Sequence, residues 1–151
     1  MLDSSRRYWN KLGFMDKLAH GALLLLAGIT VVVLYWLLWP YEIYEIDQPY
    51  EVITPVVAPG DIVEVRQTYC KLLPVPATIN IALVDGYVEP IRVIESNTPI
   101  GCYDRISRTV VIPKLTVPGE YKIRYTFHVH PNPIRTVTVT AESDTFTVVS
   151  N

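Results

Sequence analysis

Signature motifs of nucleotide and hydrolytic chemistry are missing from this sequence of 151 residues. It contains neither a glycine-rich phosphate loop nor a dinucleotide fingerprint, so nucleotide chemistry built on those motifs is not predicted. It also lacks a G-x-S-x-G nucleophile elbow, and no histidine lies beside an obvious nucleophile. We therefore predict a protein that is not an enzyme and that has no cofactor.

Methionine is missing beyond Met15, and the chain has no C-x-x-C pair. The usual Cys, His and Met ligands of a membrane-tethered copper domain therefore cannot be assembled, and a structural zinc site is not favoured. His128 and His130, in "HVHPNP", are the weak candidates for metal binding, because residues two apart on a strand share a face. Two solvated polar residues explain the pattern more simply, so we predict no metal and keep a metal-dependent envelope enzyme as an alternative.

Ionisable side chains are almost missing from Leu18 to Trp39, where His20 is the exception. A helix over this run is about 33 Å long at about 1.5 Å per residue, which is enough to span a bilayer. A cleaved signal peptide has an apolar region of about 7–15 residues followed by small residues, whereas this run ends in the bulky "YWLLWPYEIY". We therefore predict an uncleaved signal anchor. The residues chosen to represent it are Leu18, Leu24, Val32, Trp36 and Trp39, the last two in an interfacial aromatic belt.

The charges on the two sides of this apolar run differ in sign. Basic residues precede the run and acidic residues follow it: Arg6, Arg7, Lys11 and Lys17 against Glu42, Glu45, Asp47 and Glu51. The positive-inside rule then places the amino terminus in the cytoplasm and the rest of the chain across the membrane, in the periplasm of a bacterial host. The lipid bilayer is thus a predicted partner, and the acidic outer part argues against nucleic acid.

We predict four segments from these observations. Residues 1–17 form a basic, amphipathic cytoplasmic segment, residues 18–39 the transmembrane helix, and residues 40–50 a linker. Residues 51–151 are enough for one compact domain.

The predicted outer domain has no helical periodicity. Val, Ile, Thr and Tyr recur there in short runs separated by Pro and Gly, which is typical of strands and turns. Alternation is clearest in "YKIRYTFHVH", where Tyr121 and Phe127 share the core face and Lys122 and His128 share the other. About seven strands at this spacing predict an all-β, antiparallel β-sandwich. The predicted strands are Glu51–Val57, Ile62–Cys70, Thr78–Leu83, Ile91–Glu95, Arg108–Ile112, Tyr121–His130 and Thr136–Val149, the last broken near Glu142–Asp144.

The segment "LTVPGEYKIRY" resembles the corner before strand F of immunoglobulin-like domains. The resemblance implies that Tyr121 is the tyrosine-corner residue, whose hydroxyl binds a backbone group upstream. Ile123 stands where an antibody domain has its second cysteine, and the strand-C candidate has no Trp. The resemblance is therefore to the broad immunoglobulin-like or fibronectin III-like sandwich.

A wider resemblance covers most of the chain. The anchor, the "QTYCK" strand, the "IGCY" loop, the "PGEYKIRYTFHVHPNPIRTVTV" hairpin and the closing "TFTVV" are similar to small single-pass membrane proteins of tailed bacteriophages, whose function is mostly unassigned. The resemblance implies a phage source more than a mechanism. We interpret the chain as a protein of the host inner membrane that binds or assembles with a protein of the envelope. The alternative is a virion component whose apolar helix packs in the particle or enters the membrane during genome delivery.

The two cysteines are Cys70, at the end of a predicted strand, and Cys102, in the predicted loop "SNTPIGCYDR". An even pair in an oxidising compartment normally forms a disulfide. We predict this bond, which would tie the irregular segment Pro90–Asp104 to the sheet. Two buried free thiols and a metal site are the alternatives.

Apolar residues in two proline-rich loops are the remaining candidates for a binding surface. Leu72, Leu73 and Val75 lie in "CKLLPVPAT", and Ile134 lies in "HPNPIRT". They either form a surface for a partner or cap the core. The binding residues themselves are not predicted.

Overall fold

The apolar run forms a single helix. The computed structural model describes residues 13–150, and the chain divides into two compact units, Met1–Pro40 and Tyr41–Asn151. The described part of the first unit is α1 (Phe14–Leu38), a helix of 25 residues with no buried residue. Among residues 13–150 it is the one helix long and apolar enough to cross a membrane.

The ends of α1 differ slightly from the predicted span. The helix begins at Phe14 rather than Leu18, so the predicted cytoplasmic segment 1–17 includes its first turn, and residues 1–12 lie outside the described residues. It ends before Trp39 because Pro40 disfavours a helical conformation in the residue that precedes it. Trp39 is accordingly extended, with φ −64° and ψ 126°, although its N–H still donates to the carbonyl of Tyr35.

The second unit is built from strands joined by turns, as the sequence pattern predicts. Its strands are β1 (Tyr44–Ile46), β2 (Glu51–Val52), β3 (Val56–Val57), β4 (Ile62–Lys71), β5 (Ala77–Val84), β6 (Val88–Ser96), β7 (Gly101–Val111), β8 (Gly119–Asn132), β9 (Arg135–Glu142) and β10 (Phe146–Val148).

These strands form two sheets. In the four-stranded sheet, β4 pairs with β7 along one edge and with β1 and β2 along the other, always antiparallel. The six-stranded sheet has the order β3-β10-β8-β5-β6, and β9 also pairs with β8. Its pairs are antiparallel except for β3 with β10, which run parallel.

Strict alternation on β4 and β8 creates the core between the sheets. Val63 and Val65 on β4 and Ile123, Tyr125 and Phe127 on β8 are all buried in one hydrophobic cluster. Residues between them on each strand face outward, because successive side chains on a strand point to opposite faces. The predicted core faces of these two strands are therefore confirmed.

Three boundaries differ from the sequence prediction, and one predicted break is confirmed. The predicted strand Glu51–Val57 is two strands, β2 and β3, in different sheets. The predicted linker 40–50 contains β1, which pairs with β4, and its residues Ile43 and Tyr50 are buried. Strand β7 begins at Gly101, well before the predicted Arg108, because its first residues pair with the end of β4. The break predicted near Glu142–Asp144 is present and separates β9 from β10.

Tyr121 lies near the start of β8 and fixes the turn that precedes this strand. Its hydroxyl donates a hydrogen bond of 2.8 Å to the carbonyl oxygen of Val117. The side chain is buried, and its ring packs close to Gly119, where an added Cβ would lie 3.5 Å from the ring. The upstream backbone bond implied by the sequence resemblance is thus present.

Replacing Tyr121 by Phe removes this hydrogen bond and keeps the ring. We expect the free energy of unfolding of the outer unit to fall by about 1 kcal/mol, the net value of one such bond. Chemical denaturation of the full chain in detergent measures the change. Tyr87→Phe is the control, because Tyr87 is 85% exposed. An equal loss in both variants would contradict the role given to Tyr121.

Candidate binding cleft

A cleft of about 930 Å³ opens between the two sheets, where neither sheet has a further strand. Strand β6 pairs only with β5, and β7 pairs only with β4, so both are edge strands within the described residues. Residues from both edges line the cleft. A volume of this size is typical of small-molecule sites in proteins.

One wall of the cleft is apolar. Isoleucines from β5 and β6 line one side, and the ring of Phe127 on β8 lies among them. These isoleucines also pack against the main core, so the cleft is continuous with the interior of the domain. The four are Ile79, Ile81, Ile91 and Ile94.

Two buried polar atoms at the inner surface of the cleft, one of Gln67 and one of Tyr125, influence each other but form no hydrogen bond of regular geometry. Gln67 is 5% exposed and Tyr125 is 3% exposed, and both line the cleft. The Gln67 Nε2 and the Tyr125 hydroxyl are buried without a regular hydrogen bond among residues 13–150. Buried polar groups are nearly always paired in folded proteins, so each such group requires an explanation. Two further such atoms, the Tyr50 hydroxyl and the Thr116 Oγ1, belong to residues outside the lining of the cleft, whereas Gln67 and Tyr125 occur together within it.

The Tyr125 hydroxyl is a donor at neutral pH. Burial raises the pKa of Tyr125 to about 12, against the opposing influence of the Gln67 amide and of the Arg108 charge. The phenol therefore keeps its proton, and with the Gln67 amide it offers N–H and O–H groups to a ligand in the cleft.

Two arginines stand on the inner faces of the edge strands. Arg108 on β7 is directly opposite Val65, and Arg92 on β6 is directly opposite Ile81, and residues opposite each other in a ladder share a face. Both arginines line the cleft and are exposed, and neither forms an ion pair among residues 13–150. Glu95 also contributes to the lining, but it is opposite Thr78, on the other face of its strand.

A buried lysine binds a segment that lines the cleft. Lys71 is 2% exposed, and its Nζ donates a hydrogen bond of 2.7 Å to the carbonyl of Thr98, in the connection from β6 to β7. The hydroxyls of Thr98 and Ser96 are also hydrogen-bonded, at 2.8 Å. Burial lowers the pKa of Lys71 because it disfavours the charged form. This connection is therefore fixed to β4.

Cys70 and Cys102 form a disulfide next to this lysine. The two residues are directly opposite each other on β4 and β7. The predicted location of Cys102 in a loop is wrong, since Cys102 lies in β7, and Pro90–Ser96 of the predicted irregular segment belongs to β6. The bond therefore joins two neighbouring strands and holds the edge strand that forms one side of the cleft.

The two histidines of "HVHPNP" lie on the outer face of β8, away from the core. Each Nδ1 is within hydrogen-bond distance of a threonine hydroxyl on β9, at 3.3 Å for His128 and Thr138 and at 3.1 Å for His130 and Thr136. No group of three His, Cys, Asp or Glu residues that would hold a metal ion occurs in the part of the chain that the structure describes. The arrangement thus offers no third ligand to this pair.

The residues chosen for the anchor all belong to α1 or its carboxyl end. Leu18, Leu24 and Val32 are 55%, 68% and 49% exposed, Trp36 is partly exposed, and Trp39 caps the helix. The ring of Trp39 lies 5.1 Å from that of Tyr35, between centroids. These side chains are available to lipid, as an anchor requires.

The apolar loop residues serve the core in part. Leu73 and Val75 pack against a small cluster formed by Ile43, Ala77 and Val129, so they cap the end of the sheets. Leu72 and Ile134 are 40% and 47% exposed.

Sequence reasoning missed the polar residues of the cleft. Gln67 and Lys71 occupy inward positions of β4, in register with Val63, Val65 and Tyr69, and a polar residue at such a position was the available signal. Arg92 and Arg108 could not be recognised in this way, because their placement depends on a bulge in β6 and on the pairing partner of β7.

Comparison with models of known protein families and with curated proteins finds no match to this chain.

Removing the disulfide is expected to destabilise the outer unit by about 3–4 kcal/mol, the chain-entropy value for a loop closed over 32 residues. The variant Cys70→Ala with Cys102→Ala is compared with the parent by chemical denaturation of the full chain. Adding a reductant to the parent should produce a similar loss and should leave the double variant unchanged. A reductant effect on the double variant would contradict this explanation.

Lys71 should make the stability depend on pH. Its pKa in the folded protein is lowered from the ordinary 10.5, so the penalty for burying the charge is complete below the lowered pKa. The penalty disappears as the pH rises through that pKa toward 10.5. The free energy of unfolding of the parent should therefore rise, relative to that of Lys71→Met, from about pH 7 to about pH 10.

Lys114→Met is the control, because Lys114 is exposed. Denaturation curves at a series of pH values measure both differences. A difference between parent and Lys71→Met that stays constant with pH would contradict the prediction.

Proposed function

We propose that this protein is a single-pass membrane protein that presents a non-enzymatic binding domain outside the inner membrane of a bacterium. The observation that carries the proposal is the exposure of α1: none of its 25 residues is buried, and its mean hydropathy over the best window is 2.4. An exposed apolar helix of this length needs a lipid or protein environment. The strand unit, in contrast, has its own core.

The proposed orientation follows from charge. Arg6, Arg7, Lys11 and Lys17 precede the apolar stretch, and acidic residues follow it, which favours a cytoplasmic amino terminus. The disulfide between Cys70 and Cys102 supports the same arrangement, because such bonds persist in the periplasm and are rare in the cytoplasm.

The outer unit is proposed to be an immunoglobulin-like sandwich. Strands β1/β2, β4 and β7 correspond to A, B and E of such a domain, and β3, β10/β9, β8, β5 and β6 correspond to A′, G, F, C and C′. The Tyr121 hydrogen bond at the start of β8 supports the match, because a tyrosine corner stands at the start of strand F. This architecture commonly serves recognition, and the cleft between β6 and β7 is the proposed binding site.

A phage origin is supported only by the sequence resemblance. It allows two locations for the protein: the virion, or the inner membrane of the infected host. We propose the host-membrane location, because the basic segment, the apolar helix and the disulfide-bonded domain follow in the order that a signal anchor requires. Detection of the chain in purified virions by mass spectrometry would favour the other location.

An alkaline phosphatase fusion at the carboxyl terminus tests the topology, because this enzyme is active only after export. We expect an active fusion and an intact mass that includes the residues before Trp39. The control replaces Arg6, Arg7, Lys11 and Lys17 by Glu, which removes the charge bias and should lower phosphatase activity. An inactive parent fusion, or a mature chain that begins after Trp39, would overturn the proposed function.

A further inference from the structure

We propose that the cleft between β6 and β7 binds an organic anion that has an apolar body and a single carboxylate-type headgroup. The inference rests on the proposed function and deepens it, because it names the class of ligand that the exported domain takes. Three features of the described residues carry it: unpartnered buried donors, unpaired arginines on the same inner surfaces, and an apolar wall.

The buried donors are the strongest of the three. The Gln67 Nε2 and the Tyr125 hydroxyl are buried close to each other, and neither makes a hydrogen bond of regular geometry, which is unfavourable in the free protein. A ligand oxygen that inserted between them would accept from both groups. Ligand binding explains why these two polar groups are present. Core packing alone would favour Leu in place of Gln67 and Phe in place of Tyr125.

The arginines add the charge. The Arg108 charge opposes the effect of burial on Tyr125, so the guanidinium lies close enough to act on the hydroxyl. Arg92 approaches from the opposite edge, on the face shared with Ile81. An ionised carboxylate bound near these groups would accept charge-assisted hydrogen bonds, which are stronger than neutral ones.

Inward-pointing charges on edge strands have a second possible role, because they also prevent pairing of the edge with another chain. That role accounts for the two arginines. It does not account for Gln67 on β4 or for Tyr125 on β8, which are both interior strands of their sheets. Anion binding explains all four residues together.

The residues that line the cleft indicate the chemical character of the ligand beyond its headgroup. Four isoleucines and Phe127 line one side of the cleft, polar side chains line much of the rest, and Glu95 adds one negative charge. A polyanion would leave charge against apolar side chains, which is unfavourable. One negative headgroup on a hydrocarbon or aromatic body matches both the charge and the surface.

Octanoate is the probe, and octanol and octylamine are its matched analogues, since the three share a similar chain and differ in the headgroup. The full chain in lipid nanodiscs is titrated with each by calorimetry, and the heats from empty nanodiscs are subtracted. We expect octanoate to bind and octanol to bind with an affinity at least about ten-fold lower. Octylamine should not bind above the background.

Variants of the cleft separate the donors from general charge effects. Arg108→Met should weaken octanoate binding by about 10–100-fold, and Tyr125→Phe and Gln67→Leu by about 5–10-fold each. Without octanoate, the last two should unfold at the same temperature as the parent or higher, because each removes an unpartnered buried group. Arg66→Met is the control: it removes the same charge from the outer face of β4, where Arg66 pairs with Glu51 at 3.1 Å, and should not change binding.

Several results would overturn the inference. Equal binding of octanoate and octanol would exclude a role for the headgroup, and equal weakening by Arg66→Met and Arg108→Met would exclude a specific site. The absence of octanoate binding would also overturn it. If an extended peptide that carries Glu binds in the same assay and octanoate does not, the cleft binds a protein partner and the inference is wrong. In each case the phosphatase fusion still decides the proposed topology separately.

Discussion

The packing of β4 against β8 is the constraint on which the outer domain depends. Each strand is the centre of its sheet: β4 carries β1, β2 and β7, and β8 carries β5, β9 and β10. Their inward side chains form the middle of the core. Six strands pair directly with one of these two, and β3 and β6 are attached through β10 and β5. Because both strands alternate strictly, a shift of one residue in either would turn its whole apolar face outward.

The same two strands supply the cleft with its inner polar groups. Gln67 and Tyr125 take inward positions that continue the apolar pattern, but they lie where the sheets separate toward the β6 and β7 edges. The disulfide and the Lys71 bond hold β7 and the connection before it against β4. A stable core and a cavity open to solvent therefore coexist, because the rigid centre is shared and only the edges diverge.

The sequence was informative where a single local period decides the structure. The apolar run predicts α1, the strand composition predicts β4, β5 and β8 to within two residues at each end, and alternation predicts the core faces of β4 and β8. It failed where pairing partners decide: β1 is short and lies in an apparent linker, and Cys102 lies in a strand set by the register of β4. The cleft includes both cases. Gln67 could be recognised from the sequence as a polar residue at an inward position of an apolar strand. The positions of Arg92 and Arg108 at the cleft depend on strand pairing, which the sequence did not predict.

The parallel pairing of β3 with β10 has a mechanical consequence. The chain that follows α1 contributes β1 and β2 to one sheet and β3 to the other, where the amides of Thr147 and Val149 bond to the carbonyls of Pro55 and Val57 at 2.8 and 2.9 Å. In the proposed membrane-anchored state, tension between the membrane and the carboxyl end would pull these two parallel strands in opposite directions along their length. The bonds would then be loaded together in shear rather than opened one after another, which is the stronger geometry for a domain that is tethered and pulled.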